Sequence, residues 1–523
     1  MFYKLALYIN TVKYMKPSQI YYRVRKMIGL KCTIGCIPSE RYENVQKIGT
    51  PKELDFDEVF LKRFNVDEIL DDRVTFLHSS RKFDWNSKWE LSEETPLWNF
   101  NLHYFEFLFP LLKVYKDTKQ KKYLDKTKYC IQSWIKQNLK GKGIGWASYT
   151  LALRLTNWIS YYTYIEDELD QEFQNLMLKS MHEQYQYLAV HAEKDLLGNH
   201  YFEDLKTLIL CAIFFDDKKM LEKTLPIFKK ECKEEILADG MHFELSPMYH
   251  KIIFEDILRV AVALRSIKRK DTEIEEYLQP MLNVAWSLEE GLERIPLFND
   301  SGNNVAKSLQ ALVETCGTFF NIYPQFKSKF EKSGFYILKR GKWKLIVDAG
   351  QPGPKYIPGH AHCDAMSYEL FREGKPIIVN CGTYAYQCKE RAFFRSTAAH
   401  NTVMVNNIEQ SQCWGAFRVA KRSYTKVLNI TDFSIDMVMV DQNKQKIQRT
   451  IVLANNTLNI IDKAVGYQIT SYIHMAEFIE HCHNANEEIK YQPYAVDYGE
   501  QISIAVKELT GQNVITIKYI LEE

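Results

Sequence analysis

The hydrophobic pattern of this chain changes period once, near Gly334, and that change restricts the folds open to it. From about Asn101 to Cys316, apolar residues recur at helical spacing, as in HYFEFLFPLLKVY, SYTLALRLTNWISYYTYI, GNHYFEDLKTLILCAIFF and PMYHKIIFEDILRVAVALRSI. Short polar links between them predict stacked helical hairpins, either open or closed into an α/α toroid. After Gly334, segments such as FYILKRGKWKLIVDAG, MSYELFREGKPIIVNCG and QRTIVLANNTLNIIDKAV alternate β-branched or aromatic residues with polar ones. Turn chemistry at Arg340-Gly341-Lys342 and Asn455-Asn456 predicts a long antiparallel β region, most simply a sandwich. The expected class is multidomain α+β: a helical extension over 1–80 packed on the body, a helical domain over 81–317, a linker at 318–334 and a β domain over 335–523.

Composition narrows the partners. The 68 basic and 66 acidic residues leave a net charge of +2, so no broad field draws nucleic acid, and a polyanionic ligand must be held by local charge. The 11 cysteines, scattered from Cys32 to Cys482, form no disulfide framework and suit a reducing compartment. The opening MFYKLALYINTVKYMKPSQIYYRVRKMIGL is broken by Lys4, Lys13, Lys16, Arg23 and Arg25 and lacks a small-residue cleavage site. It predicts neither a signal peptide nor a membrane span, and hence a cytoplasmic location. Its amphipathic, basic character is expected to report packing against the protein's own body rather than a membrane surface.

Four polar clusters stand out. Gly198-Asn199-His200-Tyr201-Phe202-Glu203 opens an apolar helix, where Asn199 serves either as a cap or in a cleft. In Met241–His250, Ser246 followed by Pro247 starts a helix and puts Tyr249 in its first turn. In Pro358–Ser367, His360, His362 and Asp364 lie within five residues. An extended His-x-His points both rings to one side, the geometry of a shared metal or substrate. The fourth, Arg391–Thr402, brings His400 into a strand. His481-Cys482-His483 has no partners at a recognised spacing and reads as an exposed strand.

Taken in order, GNHYFEDL, SPMYH, GHAHCDAMSYELFREGKPIIVNCGTYAY and FRSTAAHNTV resemble the heparinase II/III-like family of polysaccharide lyases, which includes alginate lyase relatives. The resemblance runs from about residue 90 and implies an incomplete α/α toroid followed by an antiparallel β-sandwich. It implies β-elimination on a uronate: removal of the C5 proton, loss of the C4 oxygen, and neutralisation of the carboxylate between them. By resemblance, Asn199 with His200 faces the carboxylate, Tyr249 is the catalytic tyrosine, and His360 assists proton transfer or neutralisation. Arg154, Asn157 and Trp158 would line the sugar cleft, with Arg154 held by substrate carboxylate or an internal acid. Glu203 would orient the Asn199–His200 pair or be solvated, and Trp98, Asn99, His103 and Trp146 are weaker cleft candidates.

No cofactor is required by that chemistry. Some members hold a structural divalent metal, zinc or calcium, and His362 and His400 match the histidines of that set. Asn380 stands where an acid is expected, a poorer ligand unless Asp364 substitutes. The implied partner is an acidic polysaccharide or oligosaccharide. Family habit implies a periplasmic location, whereas a cytoplasmic relative suits capsule or exopolysaccharide production. A C5 epimerase on the same scaffold and a non-catalytic glycan-binding or assembly protein are the alternative readings.

Overall fold

The computed structural model describes residues 2–31, 33, 34, 38, 42 and 45–521. Cys32 lies outside the described residues, and the nine described cysteines are all free. Helices begin where capping chemistry directs. Thr95 before Pro96, Ser246 before Pro247, and Ser308 each accept a first-turn N–H, satisfying donors that a helix end leaves open. The helices Ser148–Ile165, Gly198–Phe214 and Pro247–Ser266 are buried almost all round. They pack in succession, flanked by Pro96–Tyr104 and Leu309–Phe320. Outside them lie Lys121–Gln137, Gln171–His191 and Lys218–Glu235, and this second layer gives a toroid-like arrangement.

The sheet domain is built on one connected antiparallel sheet of 13 strands, beside a separate two-stranded ladder of Cys413–Trp414 and Arg418–Val419. Its long members Thr457–Met475 and Glu500–Ile520 pair along most of their length, with a register shift between Lys463 and Gln468. Strands Ser434–Val440 and Lys446–Leu453 alternate buried and less buried residues. Their Ile435, Met437 and Ile447 share a core with Leu338 and Leu345 from the far end of the sheet. The sheet therefore curls until its two ends face each other, giving the layers of a sandwich from one continuous ladder. Phe335–Arg340 and Trp343–Asp348 read as apolar runs because their second face meets the helical domain: Phe335, Ile337 and Ile346 pack with Met241, Leu245 and Leu288.

Three features differ from the sequence expectation. Residues 1–80 are not wholly helical, since Arg73–Phe76 and Ser79–Lys82 form a hairpin that buries Val74 and Phe76. Its turn places Leu77 and His78 at positive φ, a conformation that the usual Asn-Gly signal would have announced. The expected linker is shorter than 318–334, since a helix runs through Phe320 and a short strand occupies Lys329–Phe330, leaving 321–328 as the irregular stretch between them. The chain also meets the sheet domain earlier, where Arg294 pairs with Glu369 at 2.9 Å and Asn299 N–H donates to Asp364 at 3.0 Å. Finally, α2 (Pro17–Met27) touches the body through polar groups and α1 (Phe2–Val12) through Leu7, Tyr8 and Thr11, and both leave large apolar side chains exposed.

Candidate active site

At the domain junction the backbone is forced into rare conformations. Leu197 has φ 66° and ψ −162°, a region that normally requires glycine and costs on the order of 1–3 kcal/mol. Gly198 follows at φ +59°, and a Cβ there would lie 3.0 Å from Glu244 Oε1 and 3.2 Å from Ile357 Cδ1. Only glycine lets the start of this helix approach Glu244 so closely. Every residue of Gly198–Phe214 is buried except His200. The Asn199 amide makes no side-chain hydrogen bond within the described residues, so its donor and acceptor are available to a ligand.

His200 Nδ1 lies 2.8 Å from Glu193 Oε2, and its ring packs 4.6 Å from Tyr149. Burial alone would lower its pKa, but the Glu193 carboxylate overrides this and raises it, favouring the imidazolium. Glu244 is buried, and neither of its carboxylate oxygens has a hydrogen-bond partner. Burial raises its pKa, against the opposing pull of the His360 and His200 imidazoles and with a smaller push from Asp300. Its Oε2 stands 3.9 Å from His360 Nε2.

Asp300 ties the two domains together. It is fully buried and accepts from His360 Nδ1 at 2.9 Å, His362 Nε2 at 2.8 Å, Thr383 Oγ1 at 3.1 Å and both terminal nitrogens of Arg391. Burial would raise its pKa, but Arg391 and the imidazoles hold it well below the carboxylate range. An ionised carboxylate only accepts, so His360 donates through Nδ1 and turns Nε2 toward Glu244. The His360 ring lies 3.9 Å from that of Tyr249. Ser246, which caps the Tyr249 helix, also donates to the Asp300 carbonyl at 2.6 Å. The Tyr249 hydroxyl meets Tyr386 at 2.8 Å, which in turn meets Tyr498 at 2.7 Å. Burial, Tyr498 and the acids around it push Tyr249 well above its ordinary pKa, so the phenol keeps its proton at neutral pH.

Models of two families match nearly the whole chain: heparinase II/III N-terminus over residues 19–328, and heparinase II/III-like, C-terminal, over residues 325–499. The chain belongs to the heparinase II/III family. The heparin-sulfate lyase of Pedobacter heparinus is 22% identical over 358 residues, covering 61% of this chain and 53% of that protein. The heparin-sulfate lyase of Bacteroides thetaiotaomicron is 21% identical, covering 77% of this chain and 64% of its own length. The chain thus spans only about half to two thirds of these relatives. A crystal structure of heparinase III superposes with a TM-score of 0.71 at 16% identity, over 92% of this chain and 88% of that one. A mutant heparan sulfate lyase HepC of Pedobacter heparinus gives 0.60 at 17%, over 97% and 88%. These two structures share the heparinase II/III fold.

Within this heparinase-family fold, His360 and His200 lie near Glu244, Tyr249 packs on His360, and Asn199 follows Gly198, whose backbone abuts Glu244. The expected cleft lining does not join them. Arg154 is fully buried, donating to Gln184 Oε1 at 2.8 Å and the Gly145 carbonyl at 2.7 Å, with its guanidinium 3.8 Å from the Trp134 ring centre. Neutral acceptors and an aromatic face replace the anion expected for it. Trp98 and Trp158 are fully buried, and Trp146 nearly so, packed edge-on to Tyr187. Asn157 donates to the Tyr104 carbonyl at 2.8 Å and Asn99 to that of Leu91 at 2.9 Å, while His103 accepts from Trp134 at 2.9 Å. Glu203 is buried in an ion pair with Lys206, which also lies 3.3 Å from Asp256. It neither orients His200 nor meets solvent. All of these lie on helices whose faces are covered by neighbours, so the polar groups stitch the helices together instead of facing a sugar.

Asp300, Glu244, Arg391, Tyr386 and Tyr498 carry much of the geometry and were given no role from sequence. Glu244 lay inside a flagged cluster, Arg391 headed another, and Tyr386 lay inside a quoted stretch. Asp300, in the turn-like LFNDSGNN, carried no signal.

His362, Asp364 and His400 form a buried group whose ligand atoms lie within 4.8 Å of one another. Asn380 is not part of it: its Oδ1 accepts from Asn401 N at 3.1 Å, and Asp364 stands in the acid position instead. His362 donates through Nε2 to Asp300, and His400 through Nδ1 to the Ser396 carbonyl at 2.8 Å. Their remaining nitrogens face each other at 3.1 Å. Burial pushes both imidazoles down to about 4, so both are neutral and two lone pairs converge, an arrangement suited to a cation with its outer-shell partners in place. A second group, His481, His483 and Glu487, lies toward the surface of the sheet domain, so the histidine pair that read as bare strand has an acid within reach.

Proposed function

We propose that this protein is a polysaccharide lyase that cleaves a uronate-containing glycan by β-elimination. The observation that carries the reading is His360, clamped by ionised Asp300 and stacked on protonated Tyr249 beside the Asn199–His200 helix start. In this mechanism the Asn199 amide and the His200 imidazolium bind the uronate carboxylate and stabilise charge as it develops, each donor contributing on the order of 3 kcal/mol. His360 Nε2 accepts the C5 proton. Tyr249 protonates the departing C4 oxygen, and the Tyr386–Tyr498 chain supports the phenol as its proton leaves. The curated relatives, heparin-sulfate lyases by name, support a sulfated or uronate-rich glycosaminoglycan-like substrate.

The test is incubation with a panel of uronate polymers in deuterated water. New ultraviolet absorbance from an unsaturated uronate, with shortened chains, is the expected result. Deuterium at C5 in intact chains would make the protein an epimerase, and binding without either change would make it a glycan-binding protein.

Glu244 sharpens the mechanism. Burial favours its protonated form, and in this reading that form donates to the substrate carboxylate, so Glu244→Gln, which keeps the shape and a donor, should hold kcat within roughly 10-fold of wild type. Activity that wild type loses on the alkaline side, as the raised Glu244 pKa is passed, should persist in the Gln variant. A Gln variant as inactive as Tyr249→Phe would instead require an ionised carboxylate.

We further propose that His362 Nδ1, His400 Nε2 and Asp364 hold a divalent metal, zinc by ligand type, which would cross-link the loop after His360 to the strand after His400. Elemental analysis should find one equivalent, and chelation should lower the unfolding temperature by roughly 5 °C. A protein that is metal-free as purified and indifferent to added zinc would rule this out.

A further inference from the structure

The two N-terminal helices are turned the opposite way from ordinary surface helices. In α2 the contacts with the rest of the protein are polar. Gln19 is buried and donates to the Leu196 carbonyl at 3.0 Å, Lys16 pairs with Glu234, and Lys26 reaches Asp195 at 3.4 Å. Ile20, Val24, Met27 and Ile28 form a continuous helical stripe, and all are exposed, Met27 by 85%. In α1 Leu5, Ile9 and Val12 are likewise exposed, and among the described side chains Leu7 alone is buried, with the Tyr8 ring against Trp414. A surface helix normally turns its apolar stripe inward.

Charge follows the same stretch. Residues 1–39 contain seven Lys and Arg and no Asp or Glu, although the whole chain is only +2, so the rest of the protein is net acidic. Lys4, Lys13 and Lys31 have no acidic partner among the described residues. We propose that α1 and α2 dock on an anionic bilayer surface, with the apolar stripes entering the interface and the basic side chains meeting lipid headgroups. Exposed Tyr3 and Tyr21 suit the headgroup level, and long Lys side chains reach past the apolar layer to it. A second copy of the chain fits worse, because a symmetric contact would set one basic face against another.

Docking bears on the site through its neighbours. Gln19 and Lys26 hold residues 195–196, just before Asn199, while Thr11 accepts from Trp414 Nε1 at 3.0 Å and Tyr8 packs on the same indole. The two helices therefore grip both domains beside the candidate active site and would hold that site at the bilayer.

Flotation of the full chain with vesicles tests this. Vesicles of phosphatidylcholine with one third phosphatidylglycerol should bind the protein, and phosphatidylcholine alone should bind it roughly 100-fold less, about 1 kcal/mol for each of the three unpartnered lysines. Val24→Asp with Met27→Asp should abolish most of the binding, and Lys4→Gln with Lys13→Gln should weaken it about 30-fold for two lost charges. Because these side chains already face water, circular dichroism and unfolding temperature should stay at wild-type values, and Phe478→Asp, an exposed apolar residue of the sheet domain, should bind like wild type. Absent or composition-independent vesicle binding would overturn the proposal. So would a concentration-dependent dimer in sedimentation that the Val24→Asp, Met27→Asp variant dissolves.

Discussion

Tyr249→Phe is expected to lower kcat about 1,000-fold, within the range for loss of a positioned acid, while KM changes little. The phenol is held by one hydrogen bond, to Tyr386 at 2.8 Å, and by the His360 ring. Phe keeps the ring contact and removes only the proton. Folding should be barely affected, because Tyr386 retains its bond to Tyr498. A substrate with a better leaving group at C4 should rescue much of the loss, since it needs less protonation. Unchanged kcat in Tyr249→Phe would remove the tyrosine from the mechanism, and a pure rise in KM would reduce it to a binding contact.

Asp300→Asn is expected to cost both activity and stability. Replacing the carboxylate removes the acceptor that fixes the His360 tautomer, and loss of such an orienting acid lowers turnover by up to about 10⁴-fold. It also leaves the buried Arg391 guanidinium without its counter-ion, a penalty of about 3–5 kcal/mol. The unfolding temperature should drop by roughly 10 °C. Adding Arg391→Met should restore part of that stability, because the orphaned charge is gone, yet leave activity low because His360 is still unclamped. Recovery of activity in the double variant would show that Asp300 serves only to neutralise Arg391.

The two predictions draw unequally on the sequence. For Tyr249, Ser246-Pro247 announces a helix start and puts the side chain in the first turn, facing either a cleft or the core, and its role rests on the family resemblance. Asn199 and His360 are likewise polar residues placed where a loop gives way to a regular element, with their roles drawn from the same resemblance. Asp300 was not legible, because its partners are 60, 62 and 91 residues away and nothing in LFNDSGNN distinguishes a buried ionic hub from a solvated turn. Arg154 and Trp158 failed in the opposite direction. Their residue types suit sugar binding, but a helix in a two-layered ring is covered on nearly every face, and burial turned them into internal fastenings.

By itself the sequence determined the two architectures and their order, because hydrophobic periods of 3.6 and 2 residues are local properties that any stretch of a dozen residues displays. It also marked which polar stretches could carry chemistry. Only the tertiary structure decided which of those groups meet, which keep a proton, and which way α1 and α2 face. Proton affinity depends on burial and on charges brought in from distant segments. The orientation of an amphipathic helix depends on what lies beneath it, and here that surface presents Glu234, Asp195 and the Leu196 carbonyl to Lys16 and α2, and the Trp414 indole to α1.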